Sequence, residues 1–376
     1  MADVPAPGAP SAGGRGVSLR RLIAGRGFQK WAARFPLTRG KVRREGEALF
    51  DLVAGFCYSQ VLMALVQLDV PQRLMAGPMP LPALAAGCGV PEARMRVLMR
   101  AAQALGLVKA RRGDRYALTG RGAALAGVPG LQQMIRHHDV LYRDLADPAA
   151  FFRGETEPEL AGFWPYVFGG EVDPDLARTY SDLMAKSQLM VADDTLATVS
   201  LKSVRHLMDV GGGTGAFLAE VGRVYPAMDL TLFDLPPVAP AAGARFAREG
   251  LSDRARIKTG SFREDALPEG ADAISLIRVL YDHGDETVAV LLRKCFEALP
   301  PGGLLLISEP MSGGARPERA GDAYFALYTM AMGTGKARSA AEISQLCARA
   351  GFDRIAAPTA RRPFVTGCVT ARKPDG

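Results

Sequence analysis

Apolar residues keep a helical spacing through most of the first half of this chain and then change to short continuous runs. The runs are His206–Val210, Asp229–Phe233, Arg256–Thr259, Ala273–Ile277 and Leu304–Ser308, with helical patterns between them. Strands alternating with helices predict an open α/β sheet. Pro300-Pro301-Gly302-Gly303 stops a helix just before the Leu304 run. Near the end, Phe352–Ala357 and Phe364–Ala371 read as paired edge strands. Residues 46–126 read as helical, with Leu52–Leu68 as a buried helix, interrupted by polar residues and short for a membrane span. Pro82–Gly89 and Pro91–Leu105 form two short helical patterns. A charged hairpin, Lys109 to Leu118, follows them, and together they have the shape of a winged helix. Residues 140–200 read as helical, broken at Pro158, Pro165 and Pro174.

One turn carries the most chemistry. Asp209-Val210-Gly211-Gly212-Gly213-Thr214-Gly215 follows apolar Leu207-Met208 and runs into Ala216-Phe217-Leu218. Strand, glycine-rich turn and helix in that order bring backbone N–H groups and a helix N-terminus close to a ligand. Beyond it, Leu230-Thr231-Leu232-Phe233 ends in Asp234, placed to accept hydrogen bonds from ribose hydroxyls. A nucleoside-containing cofactor is expected; the alternative is a tight turn with no ligand. Gly211, Gly213 and Ala216 also satisfy the dinucleotide pattern. Two features favour S-adenosylmethionine (SAM) over NAD. The turn opens with an acid, poorly matched to a pyrophosphate, and only about one domain's length follows it.

Composition adds bounds. The 376 residues are 48% hydrophobic and 23% charged, a globular profile with room for two domains. Ten basic residues and three acids among residues 1–50 account for the whole net charge of +7. The body is therefore neutral, and the second helix of the winged pattern carries only Arg94, Arg96 and Arg100. That is too little phosphate-neutralising charge for nucleic acid. Five scattered cysteines and four histidines without paired spacing point to no disulfide framework and no metal centre. Met1 to Gly14 lacks an apolar core, so no secretory leader and a cytoplasmic location are expected. Between Ser18 and Phe35, apolar Leu19, Ile23, Trp31 and Phe35 interleave with Arg20, Arg21, Arg26, Lys30 and Arg34. This basic arm reads either as a peripheral membrane-surface helix or as an arm packing on a partner subunit.

With those residues in view, the chain resembles the SAM-dependent O-methyltransferases that include plant small-molecule and acetylserotonin enzymes. The resemblance covers about residues 46–372. It rests on the glycine-rich turn, Phe233-Asp234-Leu235-Pro236, Gly260-Ser261-Phe262, Arg278-Val279-Leu280-Tyr281-Asp282, Pro301-Gly302-Gly303 and Glu309-Pro310. Within that family the chain is most similar to the acyclic carotenoid O-methyltransferases of phototrophic bacteria. The lines that suggest it are Phe151-Phe152-Arg153-Gly154-Glu155-Thr156, Phe163-Trp164-Pro165-Tyr166, Ile277 to His283 and Gly333-Thr334-Gly335-Lys336-Ala337-Arg338. The resemblance implies a Rossmann-like SAM-dependent methyltransferase sheet of seven strands, the last antiparallel, after a mostly helical winged-helix-like dimerisation domain. It implies an arm over residues 1–45, a dimerisation and substrate-cover domain over 46–185 and a SAM-binding domain over 186–376. A homodimer, a lipophilic carotenoid substrate and S-adenosylhomocysteine as product complete what it implies.

For the cofactor, it implies Asp209, Gly211 and Gly213 at the methionine part and Asp234 and Leu235 at the ribose. Ser261 and Phe262 would stand at adenine, and Arg278, Met184 and Ser187 around the same pocket. Two positions depart from the family pattern. The usual general-base His is Tyr281, with His283 two residues on, and the Glu that often orients the base is Ala337. Glu309 is kept. A tertiary alcohol can lose its proton late in the displacement, so losing the histidine is compatible with such a substrate. Tyr281 is expected to orient the hydroxyl, and His283 or Asp282 to accept the proton, directly or through water. An apolar tunnel is expected from Phe151, Phe152, Phe163, Trp164, Tyr166, Phe168, Tyr324, Phe325, Tyr328, Met330 and Met332. Two other readings stand: an O-methyltransferase for a phenolic or polyketide hydroxyl, and a catalytically silent dimeric scaffold of the same fold.

Overall fold

The computed structural model describes residues 19–163 and 187–375. Among the described residues, ten strands form two sheets. In the first half, β1 (Met79–Pro80), β2 (Val108–Arg111) and β3 (Arg115–Leu118) make a small antiparallel sheet in the order β1-β3-β2. The two short helices are Leu81–Cys88 and Glu92–Ala104, and with the β2–β3 hairpin they form the winged shape. The pairing of Met79 with Tyr116 is an addition that two residues are too short to signal in sequence.

The large sheet holds β4 (His206–Val210), β5 (Asp229–Asp234), β6 (Ala255–Thr259), β7 (Ala273–Ile277), β8 (Leu304–Glu309), β9 (Asp353–Ala356) and β10 (Gly367–Arg372). Its order is β6-β5-β4-β7-β8-β10-β9. Strands β4 to β8 run parallel, and the last strand, β10, is antiparallel to both its neighbours. Strands β4 and β7 are apolar on both faces because helices cover both sides. Met208, Val210, Ile274 and Leu276 enter one core, and Leu207 and Ala273 enter the other. The strand order reverses between β4 and β7, so their carboxyl ends open the crevice where such sheets bind ligands.

Four expectations change. The strand near the C-terminus is not at the edge: β10 lies between β8 and β9, where both its ladders are satisfied. The basic arm is two helices, Leu19–Ala24 and Arg26–Arg34, broken at Gly25, whose extended backbone ends the first. Next, one helix runs from Arg39 to Gln67, so residues 45 and 46 are joined by continuous helix rather than a linker. Finally, that helix is buried only near its end, at Met63, Leu65 and Val66, while Leu52 and Phe56 are 74% and 70% exposed. An apolar side can stay open in one chain when its cover belongs to another molecule.

Candidate active site

The turn after β4 leads into the helix Ala216–Val224. φ is +70° at Gly211 and +60° at Gly213, a left-handed backbone that costs a residue with a Cβ about 1–2 kcal/mol. A Cβ on Gly213 would meet nothing within 4 Å, so that side of the turn is clear for a ligand. A Cβ on Gly212 would collide with the Asp209 carboxylate on the other side. Asp209 is thus beneath the turn and fully buried. Its Oδ1 accepts a hydrogen bond from Ser275 Oγ at 2.6 Å, and Oδ2 has no partner among the described residues. The physical reason is its place on a central strand covered on both faces. Burial pushes this carboxyl up to about 7 against the pull of the Ser275 bond.

Asp234 is half-buried at the tip of β5. It accepts the Gly213 N–H and the Leu235 N–H, both at 2.7 Å, so one carboxylate ties the two loops together. Each oxygen keeps a lone pair for a ligand hydroxyl. After β6, the Ser261 N–H donates to Asp265 Oδ2 at 2.8 Å. The Phe262 ring meets the His283 ring edge-on at 5.3 Å.

At the end of β7, Arg278 has φ +60°, strained for a side-chain-bearing residue. Among the described residues, the bend brings its guanidinium to Ser187 and Tyr281. Nη1 donates to Ser187 Oγ at 2.8 Å and Nη2 to Tyr281 Oη at 3.3 Å, and the cation also lies over the Tyr281 ring. Ser187, Arg278 and Tyr281 are therefore together, as the sequence suggests. Met184, with Trp164, Tyr166 and Phe168, lies outside the described residues, and so does the Phe163 side chain. Tyr281 is covered, with 1% exposure, and its hydroxyl accepts from Arg278. Burial makes this phenol harder to ionise than usual, pushing its pKa up, although Arg278 opposes the shift.

Glu309 at the end of β8 accepts the Tyr281 N–H at 3.1 Å through Oε2, and Oε1 has no partner among the described residues. Burial lifts this carboxyl to about 7. Asp282 is half-buried with one buried oxygen unpartnered among the described residues, and burial holds it well above the carboxylate range. His283 faces away from this group: its Nδ1 is 3.3 Å from Arg263 Nη2 and its ring meets Phe262. Burial, then Arg263 and Arg338, lower it to about 4.

Two groups of residues were not assigned roles from sequence. Arg338 is wholly buried. It donates to Leu280 O at 2.9 Å, to His283 O at 2.8 Å and to Asp285 Oδ1 at 2.7 Å, and so fixes the segment that carries Tyr281 and Asp282. The signal was an arginine closing a motif whose usual acid is Ala337. The second group is His137 and His138 on the helix Leu131–Asp144. His137 Nε2 is 3.1 Å from Tyr328 Oη, and His138 Nε2 is 2.6 Å from Tyr324 Oη. Adjacent histidines on an amphipathic helix could have flagged them.

Of the described tunnel candidates, Phe151, Tyr328 and Met332 pack with Val140, Leu141 and Leu160. Phe152 and Met330 are exposed instead, because both sit on the outer side of short helices whose inner sides face this core.

A glycine-rich turn after the first parallel strand, an acid at the next strand's tip and a switch point between β4 and β7 define a nucleoside-binding transferase fold. The chain belongs to the O-methyltransferase family: the O-methyltransferase domain matches residues 142–353, and the family's dimerisation domain matches residues 50–127. It is 55% identical to the demethylspheroidene O-methyltransferase of Cereibacter sphaeroides, over 97% of this chain and 98% of that one. It is 52% identical to the enzyme of the same name from Rhodobacter capsulatus, over 98% and 93%. The crystal structure of human N-acetylserotonin methyltransferase in complex with SAM shares the fold, with a TM-score of 0.73 at 24% identity over 88% of this chain and 98% of that one.

Proposed function

We propose that this enzyme transfers a methyl group from SAM to the tertiary 1-hydroxyl of an acyclic carotenoid of the demethylspheroidene type. The observation that carries the substrate class is the near-full-length identity to two demethylspheroidene O-methyltransferases. The apolar cluster around Phe151, Tyr328 and Met332, beside the segment that bears Asp282, is consistent with a long hydrocarbon.

The residues fit SAM on their chemistry. Gly213 leaves room for close approach, and Asp234 has lone pairs for ribose hydroxyls. Asp209, Asp282 and Glu309 are buried carboxyls pushed upward, each with an oxygen unpartnered among the described residues. A cation beside such carboxyls favours their charged form, so the site suits a sulfonium with an ammonium group better than a pyrophosphate. When bound, SAM supplies a methyl group activated on a positively charged sulfur. Asp234 and Leu235 then hold the ribose side, Ser261 and Phe262 flank adenine, and Ser187 and Arg278 close the pocket. Tyr281 positions Arg278, and Glu309 and Arg338 fix the backbone on which Tyr281 sits. Asp282, with a buried oxygen unpartnered among the described residues, orients the acceptor oxygen. Much of the rate comes from holding that oxygen in line with the methyl carbon and away from water.

The enzyme acts as a homodimer through the region matched by the dimerisation domain. Its basic arm, with Leu19, Ile23 and Trp31 exposed, rests on the anionic face of the membrane that stores the substrate. Incubation with labelled SAM and detergent-dispersed 1-hydroxy acyclic carotenoids, beside a panel of phenols, tests the substrate. A methyl ether on the carotenoid is expected. Label on a phenol alone would remove the carotenoid reading and keep the methyltransferase.

A further inference from the structure

The covered Tyr281 leaves the acceptor proton without an obvious destination. His283 faces Phe262 and Arg263, and burial disfavours the charged form of Asp282. A second polar arm approaches from the helix Leu131–Asp144. His138 Nε2 and Tyr324 Oη are 2.6 Å apart, and the two rings meet edge-on at 5.4 Å. Tyr324 and Tyr328 stand one helical turn apart, with ring centroids at 6.2 Å. Tyr328 is near enough to Tyr281 for the two hydroxyls to resist ionising together, and Arg278 acts on Tyr324 as it does on Tyr281. The following segment binds the same spot, since the Lys336 N–H donates to Tyr281 O at 2.8 Å. Gly335 stands between the two segments, since a Cβ there would meet Tyr281 O at 2.7 Å and Thr329 Cβ at 2.9 Å, so the helix that carries Tyr328 packs on the Tyr281 segment, with Tyr324 one turn before Tyr328. Unlike Tyr281 and Tyr328, the Tyr324 side chain as a whole is only half-buried.

Resting on the reading of this site as a hydroxyl methyltransferase, we propose that Tyr324 contacts the acceptor hydroxyl and passes its proton to His138. In the resting pair, Tyr324 O–H donates to neutral His138 Nε2, with the ring proton on Nδ1. As the acceptor oxygen bonds to the methyl carbon, the carbon–sulfur bond breaks and its electron pair stays on sulfur. The oxygen now carries a positive charge, and its O–H bond breaks toward Tyr324 Oη. The Tyr324 proton moves to His138 Nε2, giving a methyl ether, a thioether and an imidazolium. The imidazolium then releases its proton to water. Burial and the neighbouring His137 hold His138 near 4, which is weak for removing a proton from an alcohol. It is ample for a dialkyl oxonium, which is a far stronger acid, so a late proton transfer needs no better base. The adjacent pair, His137 and Tyr328, is the more covered one and braces the helix.

The test compares Tyr324→Phe, His138→Ala, His138→Gln and the Tyr324→Phe/His138→Ala double variant in full-length enzyme. Each single variant should lower kcat by about 10²-fold, the range of general-base contributions, with KM changed less than about twofold. The double variant should be no slower than the slower single one, because the two residues act as a unit. Added imidazole should restore His138→Ala and leave Tyr324→Phe unchanged. SAM affinity by calorimetry confirms that each variant is folded, and His138→Gln, the closer replacement, carries the comparison if His138→Ala does not fold. Full kcat in Tyr324→Phe, a rise in KM alone, or additive losses in the double variant would overturn the relay. The parent enzyme is assayed alongside on 1-hydroxy carotenoids and on phenols. If it methylates only a phenol, the substrate reading fails, and the same variants measured on that phenol still decide the relay.

Discussion

Buried carboxyls are the distinctive residues of this site. Glu309 is lifted by burial from 4.5 to about 7. Between those values the folded state keeps a proton that the unfolded chain has already lost, so this group's contribution to stability falls as pH rises through the window. Above about 7 the penalty is complete and constant. Glu309→Gln keeps an oxygen for the Tyr281 N–H and removes the titration. The melting temperature of the variant should therefore gain on that of the parent as pH is raised through that window, and level off beyond it. A difference that stays flat with pH would show that Glu309 does not carry this proton. The glycine-rich turn and Asp234 were legible at this scale because backbone approach and ribose recognition need particular residue types at fixed spacing. The burial of Asp209 and Tyr281 was not, because a motif gives the order of residues and not which side of a strand is covered.

Among the elements, the short segment from Leu280 to Asp285 depends on Arg338. It makes a helical turn of only three residues, too short to hold itself. Its carbonyls are held by a guanidinium with no exposure, paired with Asp285 at 2.7 Å. Arg338→Met strips those carbonyls of their donor and should cost about 3 kcal/mol, read as a lower urea midpoint at unchanged slope. It should also reduce turnover, since Tyr281 and Asp282 ride on the same segment. Stability within 0.5 kcal/mol of the parent, the range of a neutral surface change, would refute that dependence. Sequence pattern recovered β4 and β7 to the residue and came within one residue at one end of β5, β6 and β8, because a doubly covered parallel strand reads as a continuous apolar run. It misplaced β10 because edge and interior strands differ in their partners, not in their own composition.

For the whole molecule, the open side of the helix Arg39–Gln67 is the face expected to meet the second subunit. Leu52, Val53 and Phe56 are exposed in the single chain, in a region matched by the family's dimerisation domain. Phe56→Asp with Leu52→Asp should give monomers by sedimentation, with the methyltransferase sheet intact by circular dichroism. A dimer that persists would move the interface elsewhere. The arm is tested separately. Replacing Arg20, Arg21, Lys30 and Arg34 with Ala should abolish binding to vesicles containing anionic lipid, since each basic residue near such a surface contributes about 1 kcal/mol. Unchanged binding would assign the arm to the partner subunit.

The sequence by itself determined the class of this protein. The order of apolar runs, the glycine-rich turn and the acid at the next strand tip are local features, and each is imposed by strand pairing or ligand contact at its own position. Tertiary structure decided what each polar group does. Whether Tyr281 faces a substrate or an arginine, whether Asp209 touches a ligand or lies under its loop, and whether His138 meets Tyr324 across 186 residues of chain depend on packing between distant segments. Burial and partner distance set those chemical states, and neither is written in local order.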